Sequence, residues 1–213
     1  MDQIDEGKIM IEPREAPDSK NYWDPERSMI IRKVKEEDLA AIARCHIQSW
    51  RETYPGIMPK EKLDALNIPA SMRNWQYTLD QRQVFLVATV SGTVCGFASG
   101  GENRSNPDSE TGIGDTCSAE LGALYLLKKH QGLGIGRALF DGFCKEVLDR
   151  GHHSMVVWVA EKNISCGFYA HMGGEQVDRK ILKVIITDVP VIAYRYSYEL
   201  LQQHAANAQL SLD

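Results

Sequence analysis

The segment Gln131-Gly132-Leu133-Gly134-Ile135-Gly136-Arg137 sets three glycines at alternate positions, and its flanks narrow the fold more than anything else in the sequence. Residues 119–127 before it read as a buried strand. After it, Leu139, Phe143 and Val147 share one face of a helix that runs to about residue 150, with Gly151 as its C-terminal stop. A strand that turns through glycines into a helix leaves backbone amides free at the helix start, with no Cβ atoms to keep a ligand away. The macrodipole at that end favours an anion. This geometry offers a diphosphate site. On the residues alone it stands beside a plainer reading, a tight turn of small residues that packs closely.

Two familiar phosphate loops do not fit. A Walker loop needs Gly-Lys-Ser/Thr, whereas Gly136 is followed by Arg137 and Ala138. A dinucleotide fingerprint is Gly-x-Gly-x-x-Gly near the chain start. Here the spacing is Gly-x-Gly-x-Gly, in mid-chain, after three earlier strands.

Those strands are residues 29–34, 84–90 and 93–98, the last two joined at Ser91-Gly92 as a hairpin. Residues 36–49 have the spacing of an amphipathic helix, with Leu39, Ile42, Ala43, His46 and Ile47 on one side. Pro55 and Pro59 interrupt, and a second helix is expected from about residue 60 to 66. Residues 100–117 are rich in Gly, Ser, Asn and Asp and read as a long, mobile loop. Residues 155–159 form a continuous apolar run, the mark of a strand buried on both faces. A short helix over 165–172 ends at Gly173-Gly174, and strands over 175–186 and 191–199 complete the domain. Residues 202–213 read as a frayed helix or tail. Strand and helix interleave as one α/β sheet.

Charge divides the 213-residue chain. Residues 1–28 carry eight acids and four bases, with Pro13, Pro17 and Pro25 and no sustained hydrophobic period. They are expected to be an extended or disordered arm, with Tyr22-Trp23 free to dock elsewhere. The remaining residues are nearly neutral, so residues 29–200 are the domain proper and 201–213 a C-terminal tail. The overall charge of −5 argues against a general nucleic-acid grip. No apolar run approaches a membrane span, and residues 1–10 lack the basic start and apolar stretch of a signal peptide. Five scattered cysteines without a Cys-x-x-Cys pair fit reduced thiols in the cytoplasm. His152-His153 has no third ligand at sensible spacing, so no metal site is expected.

Gln131-x-x-Gly134-x-Gly136 matches the Gln/Arg-x-x-Gly-x-Gly/Ala signature of the GNAT superfamily of N-acetyltransferases, and the chain resembles that family beyond the turn. Residues 120–126, Glu-Leu-Gly-Ala-Leu-Tyr-Leu, resemble the family's fourth strand, and Trp158 to Asn163 the end of its fifth. Phe168-Tyr169-Ala170-His171-Met172-Gly173-Gly174 is similar to its Phe-Tyr-x-x-Leu-Gly-Gly/Phe element. Residues 46–56, from His46 to Gly56, resemble the first helix and following loop of a bacterial subset. The match runs in family order over about residues 29–200.

The resemblance implies a mixed, mostly antiparallel sheet, flanked by helices and splayed between the fourth and fifth strands, with acetyl-CoA in the cleft. Backbone groups of Leu124, Tyr125 and Leu126 would pair with the pantetheine arm. Gln131 and the amides of Gly132, Leu133, Gly134, Ile135, Gly136 and Arg137 would hold the diphosphate. Arg137 either adds a cation there or is a solvated helix residue. Asn163 either touches the cofactor or caps a helix.

Acetyl transfer from a thioester to an amine needs a neutral amine, a stabilised oxyanion and a protonated leaving thiolate. The resemblance makes Tyr169 the acid and Glu120 a base, although a carboxylate on a buried strand also serves as a structural partner. His46 and Glu161 are reserve bases. Trp50 and Tyr54 are expected to line the acceptor pocket or to pack as aromatic core. The implied activity is direct transfer of acetyl to a primary amine, on a small molecule or a protein, in a ternary complex. A non-catalytic acyl-CoA sensor, a transferase for a longer acyl group and a cysteine enzyme using Cys166 are the competing readings. A homodimer is a further expectation, since dimers are common among relatives.

Overall fold

Apolar runs with a period of two, broken by glycine and by polar turns, build one sheet of eight strands. The computed structural model describes residues 9–11, 29–103, 116–184 and 187–210. In chain order the elements are β1 (Ile9–Ile11), β2 (Met29–Lys33), α1 (Leu39–Thr53), α2 (Lys60–Asp64), α3 (Ile68–Asp80), β3 (Val84–Val90) and β4 (Thr93–Glu102). They continue with β5 (Ala119–Leu126), α4 (Ile135–Asp149), β6 (Met155–Ala160), α5 (Ser165–His171), β7 (Glu175–Val184), β8 (Thr187–Tyr196) and α6 (Tyr198–Leu210). The strand order is β1-β2-β3-β4-β5-β6-β8-β7.

Every neighbouring pair is antiparallel except β5 and β6. Helices cover both faces. Leu139, Phe140, Phe143 and Val147 of α4 pack with Ile31, Leu86, Ala98, Leu121 and Val157 on one side. Leu39, Ile42 and Cys45 of α1 close on Phe85, Val87 and Phe97 on the other. The expected mixed, mostly antiparallel sheet between helices is what the chain forms.

Four differences from the sequence reading have physical causes. Ile9–Ile11 pairs antiparallel with Met29–Ile31 and adds an edge strand; the rest of the expected arm, Tyr22-Trp23 included, lies outside the described residues. Helix α3 was not expected. Its start was marked, because Asn67 Oδ1 accepts from the Ala70 amide at 2.9 Å and Pro69 sits in the first turn. Its inward face, however, is Ser71, Trp75 and Leu79 rather than an aliphatic stripe.

Strand β4 runs through Gly100 and Gly101 to Glu102, into the stretch read as a loop; residues 104–115 of that stretch lie outside the described residues. Gly100 is required there, because a Cβ at this position would lie 2.1 Å from the Glu120 carbonyl oxygen. The C-terminal segment is the fourth difference. Helix α6 runs through the boundary expected at residue 200 and packs on α4, burying Leu201 and His204.

Candidate active site

Strands β5 and β6 pair in parallel at only two positions, Ala119 with Met155 and Glu120 with Val156. Beyond Glu120 the two strands diverge, each still paired on its outer side, β5 to β4 and β6 to β8. The divergence coincides with an irregularity in the β4–β5 ladder, where Gly100 faces Leu121 and Ser99 faces Ala123, so Gly122 has no opposite number. Leu124, Tyr125 and Leu126 therefore lie along an edge with no ladder to β6. Their side chains alternate: Leu124 and Leu126 pack toward α4, and Ala123 and Tyr125 toward α1.

The glycine turn closes the open end of this wedge. Gly132 and Gly134 have φ of +75° and +80°, a left-handed region that L side chains rarely adopt, and a Cβ on either would meet nothing within 4 Å. Gly134 is the N-cap of α4. The first amide of that region with a backbone acceptor is Ala138, bonded to the Gly134 carbonyl at 3.0 Å; among the described residues, those of residues 132–137 have none. Gln131 Nε2 donates to the Leu126 carbonyl at 3.2 Å and ties the turn to the end of β5. Arg137 Nε lies 3.6 Å from Asp141 Oδ2, one turn further along α4.

An aromatic cluster fills the α1 side of the wedge. His46, Trp50 and Tyr54 follow one another at four-residue spacing, with ring centroids 5.4 Å and 4.7 Å apart, and His46 lies 5.2 Å from the Tyr125 ring. Burial pushes the His46 imidazole down to about 4, so it is neutral at neutral pH and a weak base. Burial raises the Tyr54 phenol, and Tyr125 and Asn163 lie close enough to influence it. Tyr169 of α5 is buried, which raises its phenol too, and it sits within electrostatic reach of Tyr54 and Tyr125. All three phenols stay protonated near neutral pH and can donate. Trp158 of β6, like Tyr54, Ile57 and Met58, packs against the cluster of Ala160, Val189 and Val191, and Lys180 Nζ lies 3.7 Å over its ring.

Residues 47–173 match the acetyltransferase (GNAT) family. The chain belongs to that family. It is 38% identical over 147 residues to the uncharacterized N-acetyltransferase YuaI of Bacillus subtilis, a match covering 69% of this chain and 80% of that one. Among solved structures it superposes on the PaiA N-acetyltransferase of Thermoplasma acidophilum in complex with coenzyme A with a TM-score of 0.59. That alignment has 22% identity and covers 79% of this chain and 99% of the other. It also superposes on yncA of Salmonella typhimurium with its cofactor acetyl-CoA, with a TM-score of 0.61 and 20% identity over 80% of this chain and 94% of the other. The sheet is thus the GNAT fold, and the protein is an acyltransferase. Counted without β1, the diverging β5 and β6 are the family's fourth and fifth strands.

In this GNAT frame the residues singled out from sequence fall into groups. Leu124–Leu126 lie on the free edge of β5, and the seven turn residues follow after a short 3₁₀ turn at residues 128–130. The Gln131 side chain, though, is already bonded within the protein. Asn163 is buried, and its Oδ1 accepts from the Ser165 amide at 2.9 Å, satisfying the first amide of α5 just before the N-cap at Ile164. Glu120 is half-buried at the closed end of the wedge, opposite Gly101 and Val156.

The reserves fare less well. Glu161 is bound by Arg179 at 2.8 Å, which holds its carboxyl below the usual range. Cys166 donates to the Ala160 carbonyl at 3.4 Å, and burial raises its thiol, the reverse of an activated nucleophile. Among the described residues no group of three or more His, Cys, Asp or Glu side chains could hold a metal ion, and no helix is long and apolar enough to cross a membrane. Two side chains beside these residues were not singled out from sequence: Tyr125, in a strand read for its backbone, and Asp141, whose four-residue spacing from Arg137 was the available signal.

Proposed function

We propose that the protein transfers the acetyl group of acetyl-CoA directly to a primary amine in a ternary complex. One observation carries this reading: the parallel β5–β6 ladder stops after two positions, above a turn of left-handed glycines whose amides lack backbone acceptors. The pantetheine arm adds to the free edge of β5 at Leu124–Leu126 as an extra strand would. The diphosphate lies on the amides of Gly132 through Arg137, where nothing stands within 4 Å of the missing Cβ atoms of Gly132 and Gly134.

The amine nitrogen attacks the thioester carbonyl carbon, and a backbone amide near the unpaired Gly122 receives the developing oxyanion. The C–S bond then breaks and Tyr169 protonates the departing thiolate. Burial keeps the phenol protonated throughout the neutral range, so the proton is present when the thiolate forms. Glu120 accepts the proton released by the amine, directly or through water. Trp50 and Tyr54 frame the acceptor. A cytoplasmic setting is supported by five cysteines, all unpaired.

The test is CoA release from acetyl-CoA, measured with purified protein against a panel of amines. Acceptor-dependent thiol release supports the reading. Saturable acetyl-CoA binding with no turnover on any amine supports a sensor instead, and turnover only with longer thioesters moves the donor assignment.

A further inference from the structure

The most enclosed ion pair among the described residues is not at the wedge but behind the turn. His204 of α6 and Asp141 of α4 are each 5% exposed. His204 Nε2 lies 2.9 Å from the Met172 carbonyl oxygen, which can only accept, so Nε2 carries a hydrogen. His204 Nδ1 lies 2.6 Å from Asp141 Oδ1. Two lone pairs do not face each other at that distance, so a second proton lies between these atoms. The pair therefore holds the proton of an imidazolium–carboxylate couple and is neutral as a unit. The other Asp141 oxygen, Oδ2, faces Arg137 Nε at 3.6 Å, and the Arg137 side chain is half exposed.

Asp141 thus stands between two cations, one buried and one at the phosphate turn. Were the imidazole absent, Arg137 would be the one cation left on that carboxylate among the described residues, and the four-residue pair would close on itself. We propose that His204 is a positioning residue for the turn: by neutralising Asp141 from the C-terminal helix, it leaves the charge of Arg137 available to the diphosphate of the coenzyme. The proposal rests on the phosphate reading given above. It extends that reading to a helix beyond residues 47–173, the part that matches the family.

Calorimetry with CoA, paired with the KM for S-acetylpantetheine, which lacks the diphosphate, tests it. His204→Leu is expected to weaken CoA binding about fivefold, the size of one exposed ion pair, and to leave the pantetheine KM unchanged. His204→Gln, which keeps hydrogen-bonding capacity but carries no charge, should act in the same direction if the leucine variant folds poorly. Adding Asp141→Asn to His204→Leu should return CoA affinity to near wild type, because Arg137 is then unopposed. Adding His204→Leu to Arg137→Gln should change nothing further. Equal loss for both ligands, no recovery with Asp141→Asn, or a full additive loss on Arg137→Gln would overturn the proposal. Wild-type protein that binds no CoA would instead contradict the phosphate reading itself.

Discussion

Gln131 reaches back from the glycine turn and donates its side-chain amide to the carbonyl of Leu126, 3.2 Å away at the last residue of β5. The signature glutamine thus joins the edge proposed for the pantetheine arm to the loop proposed for the diphosphate. An exposed hydrogen bond of this kind contributes about 1 kcal/mol or less. Gln131→Leu should therefore raise the acetyl-CoA KM about three- to tenfold with the melting temperature nearly unchanged. An unaltered KM would show that the turn keeps its place without this bond.

Tyr169→Phe separates binding from chemistry. The phenol is proposed as the acid for the thiolate, so kcat should fall by about 10²-fold or more while acetyl-CoA affinity stays within about twofold. If affinity falls as much as kcat, Tyr169 is packing for the cofactor rather than its proton donor.

His46 gives the fold a pH signature with a definite sign. Its imidazole is pushed from an ordinary 6.5 to about 4 by burial among Trp50, Trp75, Phe97 and Tyr125. The unfolded chain binds a proton there below about 6.5 and the folded chain does not until about 4, so stability is present above 6.5 and is lost as the pH falls through that window. His46→Gln removes this linkage. Thermal melts should show the wild type losing about 1–3 kcal/mol more than the variant between pH 7 and 4. Parallel losses in the two proteins would mean that the imidazole is more hydrated than its ring contacts indicate.

Trp50 packs against Tyr54 with ring centroids 4.7 Å apart and planes tilted by 42°, and its indole Nε1 is buried without a hydrogen-bond partner among the described residues. If the pair lines the acceptor pocket, Trp50→Ala should raise the acceptor KM about tenfold or more and leave the acetyl-CoA KM alone. An acceptor KM that does not move, in a variant of lowered stability, assigns Trp50 to the core.

How much of this was legible in the sequence depends on the range of the interactions involved. The glycine turn, α4 and the β3–β4 hairpin were readable because their signals are local: alternate glycines, a period near 3.6, and Ser91-Gly92 between two apolar runs. The wedge was expected only through family resemblance, since no local pattern announces that β5 and β6 part after Glu120. That parting depends on β8 and β4 satisfying the outer edges. Helix α3 escaped because its inward face carries Ser71 and Trp75, which do not read as an aliphatic stripe. The tail assigned to residues 201–213 concealed His204, because a polar residue in a weakly amphipathic segment reads as solvated unless its partner is known, and Asp141 lies 63 residues earlier.

Titration of acetyl-CoA into the purified protein by calorimetry, beside a folded Gly134→Val variant, tests the central claim most directly. At φ +80° valine forces the backbone out of the left-handed conformation from which the turn presents its amides. The expected result is a saturable heat with one equivalent of acetyl-CoA for the wild type and its loss in a variant whose circular dichroism is unchanged. A wild type that gives no heat, or a variant that binds as tightly as its parent, would contradict a phosphate grip made from the main chain around residue 134.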